Sequence, residues 1–145
     1  MSLVLYNTLT GQKEDFVPLE EELWAARELV YLLNGAGIER IILEPGPVGK
    51  DRCLIPGTLH GIMNSIENSM ILNALDPLRV SIYQDEEQNL CLRHPNRARL
   101  MPGPGARMDR LDKSYRHFTG SGIIRSEDAS AVVWKIPGLP RIINE

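Results

Sequence analysis

The chain has 145 residues, enough for one domain with a sizeable buried core. Its 43% hydrophobic and 24% charged content is that of an ordinary globular protein, and no apolar run approaches the roughly 18 residues that a membrane span needs. The net charge of −3 argues against a dedicated nucleic-acid binder, but it is unevenly spread. Residues 1–92 carry six Lys/Arg against fourteen Asp/Glu, whereas residues 93–145 carry ten against five, so the second part is basic. Two cysteines, Cys53 and Cys91, make no disulfide framework, and no basic segment precedes the short apolar run Met1–Tyr6. A reducing, cytoplasmic setting without a secretory signal is expected.

In chain order, Leu3–Tyr6 reads as a short strand, Thr10–Gln12 as a turn and Phe16–Val17 as a second short strand. From Pro18 to Glu44 runs the clearest stretch, a helix feeding a strand. Leu19, Leu23, Ala26, Val30 and Leu33 recur at helical spacing, widened by Leu29 and Leu32, with Glu21, Glu22 and Glu28 outside the stripe. Pro18 suits the first helical position, and Glu20, Glu21 and Glu22 suit the positive end of the helix dipole. Gly35 and Gly37 can adopt the left-handed conformation that ends a helix. Ile41, Ile42 and Leu43 stand in a row, so Ile38–Glu44 is expected to be a strand buried on both faces.

The segment Tyr6-Asn7-Thr8-Leu9-Thr10-Gly11-Gln12-Lys13-Glu14, continuing to Leu19, resembles the leader of cysteinyl-tRNA synthetases. That resemblance implies a link to tRNA. In that family a zinc-ligand cysteine and a His-x-Gly-His nucleotide motif follow shortly afterwards. Here the acidic helix occupies that space and no cysteine occurs before Cys53, so those ligands and catalytic residues have no counterparts. Arg107-Met108-Asp109-Arg110 resembles the family's Lys-Met-Ser-Lys-Ser motif only in part, without its serines.

Pro45–Asp51 ends in Gly49-Lys50, but a phosphate-binding loop needs Gly-x4-Gly-Lys-Ser/Thr opening into a helix, so a surface loop is expected. Thr58–Ala74 reads as a second helix with Thr58 as N-cap and Leu59, Ile62, Met63, Ile66 and Met70 as its apolar face. On another face His60, Asn64 and Asn68 form a neutral polar stripe, either a ligand-facing surface with His60 as acid or base, or a face covered by a loop or second subunit. Asp76-Pro77 ends the helix. Val80–Tyr83 and Asn89–Leu92 form a hairpin around Asp85–Gln88, with one face buried.

Cys91 and His94, with Cys53 and His60, would make four zinc ligands on paper. Residues three apart on a strand point to opposite faces, and the other two lack ligand spacing, so no metal is expected. Residues 94–106 lack periodicity and read as a long basic Pro/Gly-rich loop. Arg107–Phe118 regains helical spacing, with Met108, Leu111, Tyr115 and Phe118 on one side. Arg93, Arg97, Arg99, Arg107, Arg110, Lys113 and Arg116 become the candidate residues for a partner or an anion. Thr119–Gly122 is a joint, Ala131–Ile136 a strand, and Arg141–Glu145 an edge strand or tail.

These elements predict a single α+β domain over residues 1–145, two layers deep, with a mixed or antiparallel sheet and about three helices. A small doubly wound α/β domain is the alternative. In function the expectation is a non-catalytic binding or regulatory module acting through residues 93–117, with a protein partner or a second copy, no cofactor and no membrane. One alternative is a nucleic-acid-associated, tRNA-related protein using the same basic segment. Another is an enzyme whose site gathers distant residues around His60.

Overall fold

The computed structural model of the chain describes residues 3–7, 12–35, 38–48, 53–99 and 108–139. Among them are three helices, α1 (Leu19–Asn34), α2 (Thr58–Ser69) and α3 (Asp109–Thr119). The strands are β1 (Leu3–Asn7), β2 (Gln12–Pro18), β3 (Ile41–Pro45), β4 (Cys53–Leu54), β5 (Leu78–Gln84), β6 (Leu90–Pro95), β7 (Ile124–Glu127) and β8 (Ala131–Ile136). Five of them form a mixed sheet in the order β3-β5-β6-β8-β7, with β3 and β5 parallel and the other pairs antiparallel. The remaining three pair antiparallel as β1-β2-β4. This is an α+β fold, in which α2 lies on the crossover that a parallel β3–β5 pair requires. A doubly wound sheet would be largely parallel with both faces covered. Here a single pair is parallel.

Period-two alternation makes the five-stranded sheet one-sided. Leu78, Val80, Ile82, Leu92, Val132, Trp134 and Ile136 are buried, while Arg79, Ser81, Arg93 and Ser126 on the opposite face are exposed. The inward face shares one core cluster with Leu19, Ala26 and Val30 of α1, Leu59, Ile62, Met63 and Ile66 of α2, and Tyr115 of α3. Leu23, Leu29 and Leu33 flank it half-buried, so the helical stripe of α1 faces the core, but Leu32, expected to widen that stripe, lies off it and is exposed. Gly61 lets α3 approach α2, since a Cβ there would stand 3.2 Å from both Leu111 and Met108 side-chain atoms. Phe118 closes the far end edge-on to Phe16, their ring centroids 4.9 Å apart.

Several elements differ from expectation for identifiable reasons. α2 stops at Ser69 rather than Ala74. Asn68 Nδ2 and Ser69 Oγ turn back onto the carbonyls of Asn64 (2.9 Å) and Ser65 (2.6 Å), a local bond that competes with helix propagation. Beyond them the chain bridges to another segment, Met70 opposite Ala98, with Ile71 N–H donating to Arg97 C=O at 2.7 Å. The N-cap of α2 is Gly57, held at φ 85°, and Thr58 is the first helical residue. β3 begins at Ile41 and lies at the sheet edge, so Ile42 and Leu43 are half-buried rather than enclosed on both faces. β4 is two residues long, and all four residues of β7 are exposed, which leaves neither with an apolar pattern to read. The expected loop narrows, because His94 and Pro95 complete β6. Residues 8–11, 49–52, 100–107 and 140–145 carry the rest of the first turn, part of the Gly-Lys loop, most of the basic loop with Arg107, and the C-terminal tail. They lie outside the described residues.

Glu22, one of the three acids in the first turn of α1, is buried and serves α2 instead. Its Oε1 accepts the Leu59 N–H at 3.3 Å and faces the N–H groups of Gly57 and Thr58, capping the second helix from the first. Burial raises its pKa above the ordinary carboxylate value, and those amides oppose the rise without cancelling it. Because the folded pKa lies above the unfolded one, the stability this group contributes is full below the unfolded pKa and is lost as pH rises through the folded one. Glu22→Gln keeps a neutral acceptor there and should match or exceed wild-type stability at pH 7, by a margin that shrinks toward pH 4. Glu22→Ala removes the acceptor and should cost about 1 kcal/mol. Urea titrations at the two pH values check both, and a Gln variant less stable than Ala would contradict the capping role.

Candidate functional site

A groove of about 710 Å³ lies between α1 and the β3 edge. Asn34, the last residue of α1, builds its floor. Its Oδ1 accepts the N–H groups of Arg40 and Ile41, each at 2.9 Å, and its Nδ2 donates to Ile41 C=O at 3.0 Å. The Arg40 guanidinium donates to Leu33 C=O, placing a cation at the negative end of the helix. The α1–β3 turn is thereby closed on both sides.

Asn34 also blunts the sheet edge. In β3, Arg40 C=O and Gly46 N–H bond to β5, so the even-numbered positions face inward along the sheet and 41, 43 and 45 face outward. Asn34 takes both outward groups of Ile41, and Pro45 has no N–H to offer. Leu43 alone of the three presents a full pair, so the groove is suited to side chains rather than to an added strand.

Around this groove lie side chains that the fold leaves uncovered. Tyr31 (68% exposed) and Ile38 (50%) line it together with Arg27, Ile42, Ala74 and Pro77. Trp24 (65%), Leu32 (74%) and Leu75 (93%) stand exposed on the same two elements, α1 and the Ala74–Pro77 segment. Scattered apolar residues on a surface are ordinary, whereas exposed apolar side chains that line a concavity, as Tyr31 and Ile38 do, are of the kind that contact sites use.

Those of the residues singled out in the sequence that are described lie elsewhere. Arg93 is exposed on the outer sheet face, opposite Ser81 and Val133. Arg97 grips Asp76, Nη1 to its carbonyl at 2.5 Å and Nη2 to its carboxylate at 2.8 Å. Arg99 Nε donates to Met70 C=O at 2.8 Å, just past the end of α2. Arg110, Lys113 and Arg116 are exposed on α3, where Arg116 pairs with Asp112 at 2.9 Å. Asp112 also accepts Ile123 N–H at 2.9 Å, and Gly122 beneath has no room for a Cβ, which would fall 2.1 Å from Asp112 Oδ1. His60 is exposed, Asn64 and Asn68 are half-buried, and neither this stripe nor any described residue of 93–117 lines the groove.

Cys91 and His94 lie on opposite faces of β6. The Cys91 thiol, near Asp85 and Asn89, has its pKa raised chiefly by burial and next by the Asp85 charge, which makes it a poor nucleophile. His94 is in the core, its Nδ1 against Pro95 C=O at 2.9 Å and its Nε2 accepting the Trp134 indole N–H at 3.2 Å. Among the described residues no group of three or more His, Cys, Asp or Glu is placed to hold a metal ion, and no helix is long and apolar enough to cross a membrane. No protein-family model matches the chain, and comparison with curated protein sequences gives no match.

Proposed function

We propose that this chain is a non-catalytic binding module that holds a protein partner at the α1–β3 groove. The observation that carries this reading is that Tyr31 and Ile38, large apolar side chains, are exposed in that groove, with Trp24 and Leu75 exposed on the two elements that border it. Trp, Tyr and Arg dominate the energetics of protein interfaces, and Arg27 stands between the two aromatics on α1. The free thiols of Cys53 and Cys91 fit a reducing, cytoplasmic setting. Photo-crosslinking from the full chain in its native cells tests the reading. A photoreactive residue at position 38 should give protein adducts, and one at position 113, on the exposed side of α3, should give none. No adduct from position 38 would overturn it.

A second reading, association with a nucleic acid, is favoured by Arg110 and Lys113, which are exposed and have no ion pair among the described residues. It also draws on the tRNA link implied by the synthetase-like leader. It requires RNA binding that weakens steeply with salt and is lost on Arg110→Glu with Lys113→Glu. Nucleic-acid adducts from position 113, with none from position 38, would replace the first reading by this one.

A further inference from the structure

The outward face of α1 carries an order of side chains that is complementary to itself. Trp24, Arg27, Glu28 and Tyr31 are spaced three, one and three apart, which places them on one helical stripe. That stripe lies opposite the buried Leu19, Ala26 and Val30, and all four residues are exposed. Neither Arg27 nor Glu28 has an ion pair among the described residues. Read from either end, the stripe runs aromatic, charge, opposite charge, aromatic.

We propose that the occupant of this face is a second copy of the chain, with the two α1 helices antiparallel about a two-fold axis between positions 27 and 28. Resting on the binding-module reading, this names its partner. A two-fold interface uses the same patch on both molecules, so each contact must occur twice. In this register Trp24 meets Tyr31 of the second copy and Arg27 meets its Glu28, both twice over. A parallel pairing in register would set Arg27 on Arg27 and Glu28 on Glu28 instead. Antiparallel packing also brings the acidic first turn of one α1 toward the other's C-terminal end, where Arg40 supplies the cation. Because Arg27 and Tyr31 line the groove as well, the pairing seals one of its flanks.

Charge exchange in the full chain tests the proposal, with mass read by light scattering or sedimentation over a concentration series. Wild type should be a dimer. R27E and E28R should each weaken dimerisation by about tenfold or more, because each sets like charges opposite one another twice. An equimolar mixture of R27E with E28R should recover the wild-type dimer, since the acid introduced at 27 then faces the base introduced at 28. These exposed changes should leave the cooperative melt intact, so loss of dimer is not loss of fold. A monomeric wild type, a dimer indifferent to the single reversals, or a mixture that stays monomeric would each overturn it. If wild type is monomeric but position 38 still crosslinks to a different protein, the module reading stands and the second copy is excluded. If position 38 gives no adduct at all, the module reading itself fails.

Discussion

Tyr115→Phe is expected to lower folding stability by about 2–3 kcal/mol, because a single oxygen closes a ring of three buried hydrogen bonds. Ile55 N–H, which can only donate, reaches Tyr115 Oη at 3.1 Å. Thr58 Oγ1 spends its proton on Ile55 C=O at 2.5 Å, so the 2.7 Å contact between the two hydroxyls has Tyr115 as donor and Thr58 as acceptor. Every proton position in the ring follows from groups with one possible role. Ile55, Thr58 and Tyr115 are all buried, so no bulk water replaces the lost oxygen. The ring also ties α3 to the turn that starts α2, beside the cap supplied by Glu22 of α1. Urea unfolding should show a lower midpoint with an unchanged m-value. Thr58→Ala should cost less in the Tyr115→Phe background than in wild type, because both changes act on one ring. Additive losses, or a Phe variant as stable as wild type, would mean that the ring contributes nothing beyond packing.

How far the sequence foretold this molecule depends on how local each cause is. The inward stripe of α1 (apart from Leu32, which is exposed), the apolar face of α2 and the β5–β6 hairpin follow from spacing within one element and lie where that spacing requires. Glu22 shows the limit. By position it is a first-turn acid of α1, yet its partner amides lie 35–37 residues away at the start of another helix. Arg97 and Arg99 look like free cations in a basic loop, but their acceptors, Asp76 and Met70, sit 21 and 29 residues earlier. A charge count cannot distinguish a cation facing solvent from one bonded across the fold. The groove was hidden for a related reason. Trp24 and Tyr31 fall outside the inward stripe, but what Tyr31 faces depends on β3 being an edge that Asn34 and Pro45 blunt. That edge is a property of strand order, which no local pattern encodes.

Stability should fall as pH drops from about 7 toward 5, and His94 should account for much of the loss. An indole N–H can only donate, so His94 Nε2 must be bare to accept Trp134, which leaves the proton on Nδ1 facing Pro95 C=O. A second proton would turn Nε2 into a donor aimed at a donor in a dry site. Burial chiefly pushes the His94 pKa below its usual value, the Pro95 carbonyl opposes this, and the Arg125 charge adds to it. Arg125 lies over the same Trp134 ring, 5.4 Å from its centroid, so a cation already occupies that flank. The unfolded chain therefore takes up a proton near the ordinary histidine pKa that the folded chain accepts only at lower pH. Stability is full above the unfolded pKa and is lost as pH falls from there through the folded one. His94→Gln keeps an oxygen able to accept the indole N–H but cannot titrate. It should be less stable than wild type at pH 7.5 by about 1–3 kcal/mol, the cost of an imperfect buried replacement, and the gap should narrow toward pH 5. Glu22 titrates with the opposite sign, so the comparison is best repeated in the Glu22→Gln background, where that contribution is absent. A gap between wild type and His94→Gln that stays constant from pH 7.5 to pH 5 would show that His94 takes up its proton equally in both states, and the tautomer assigned to it would have to be abandoned.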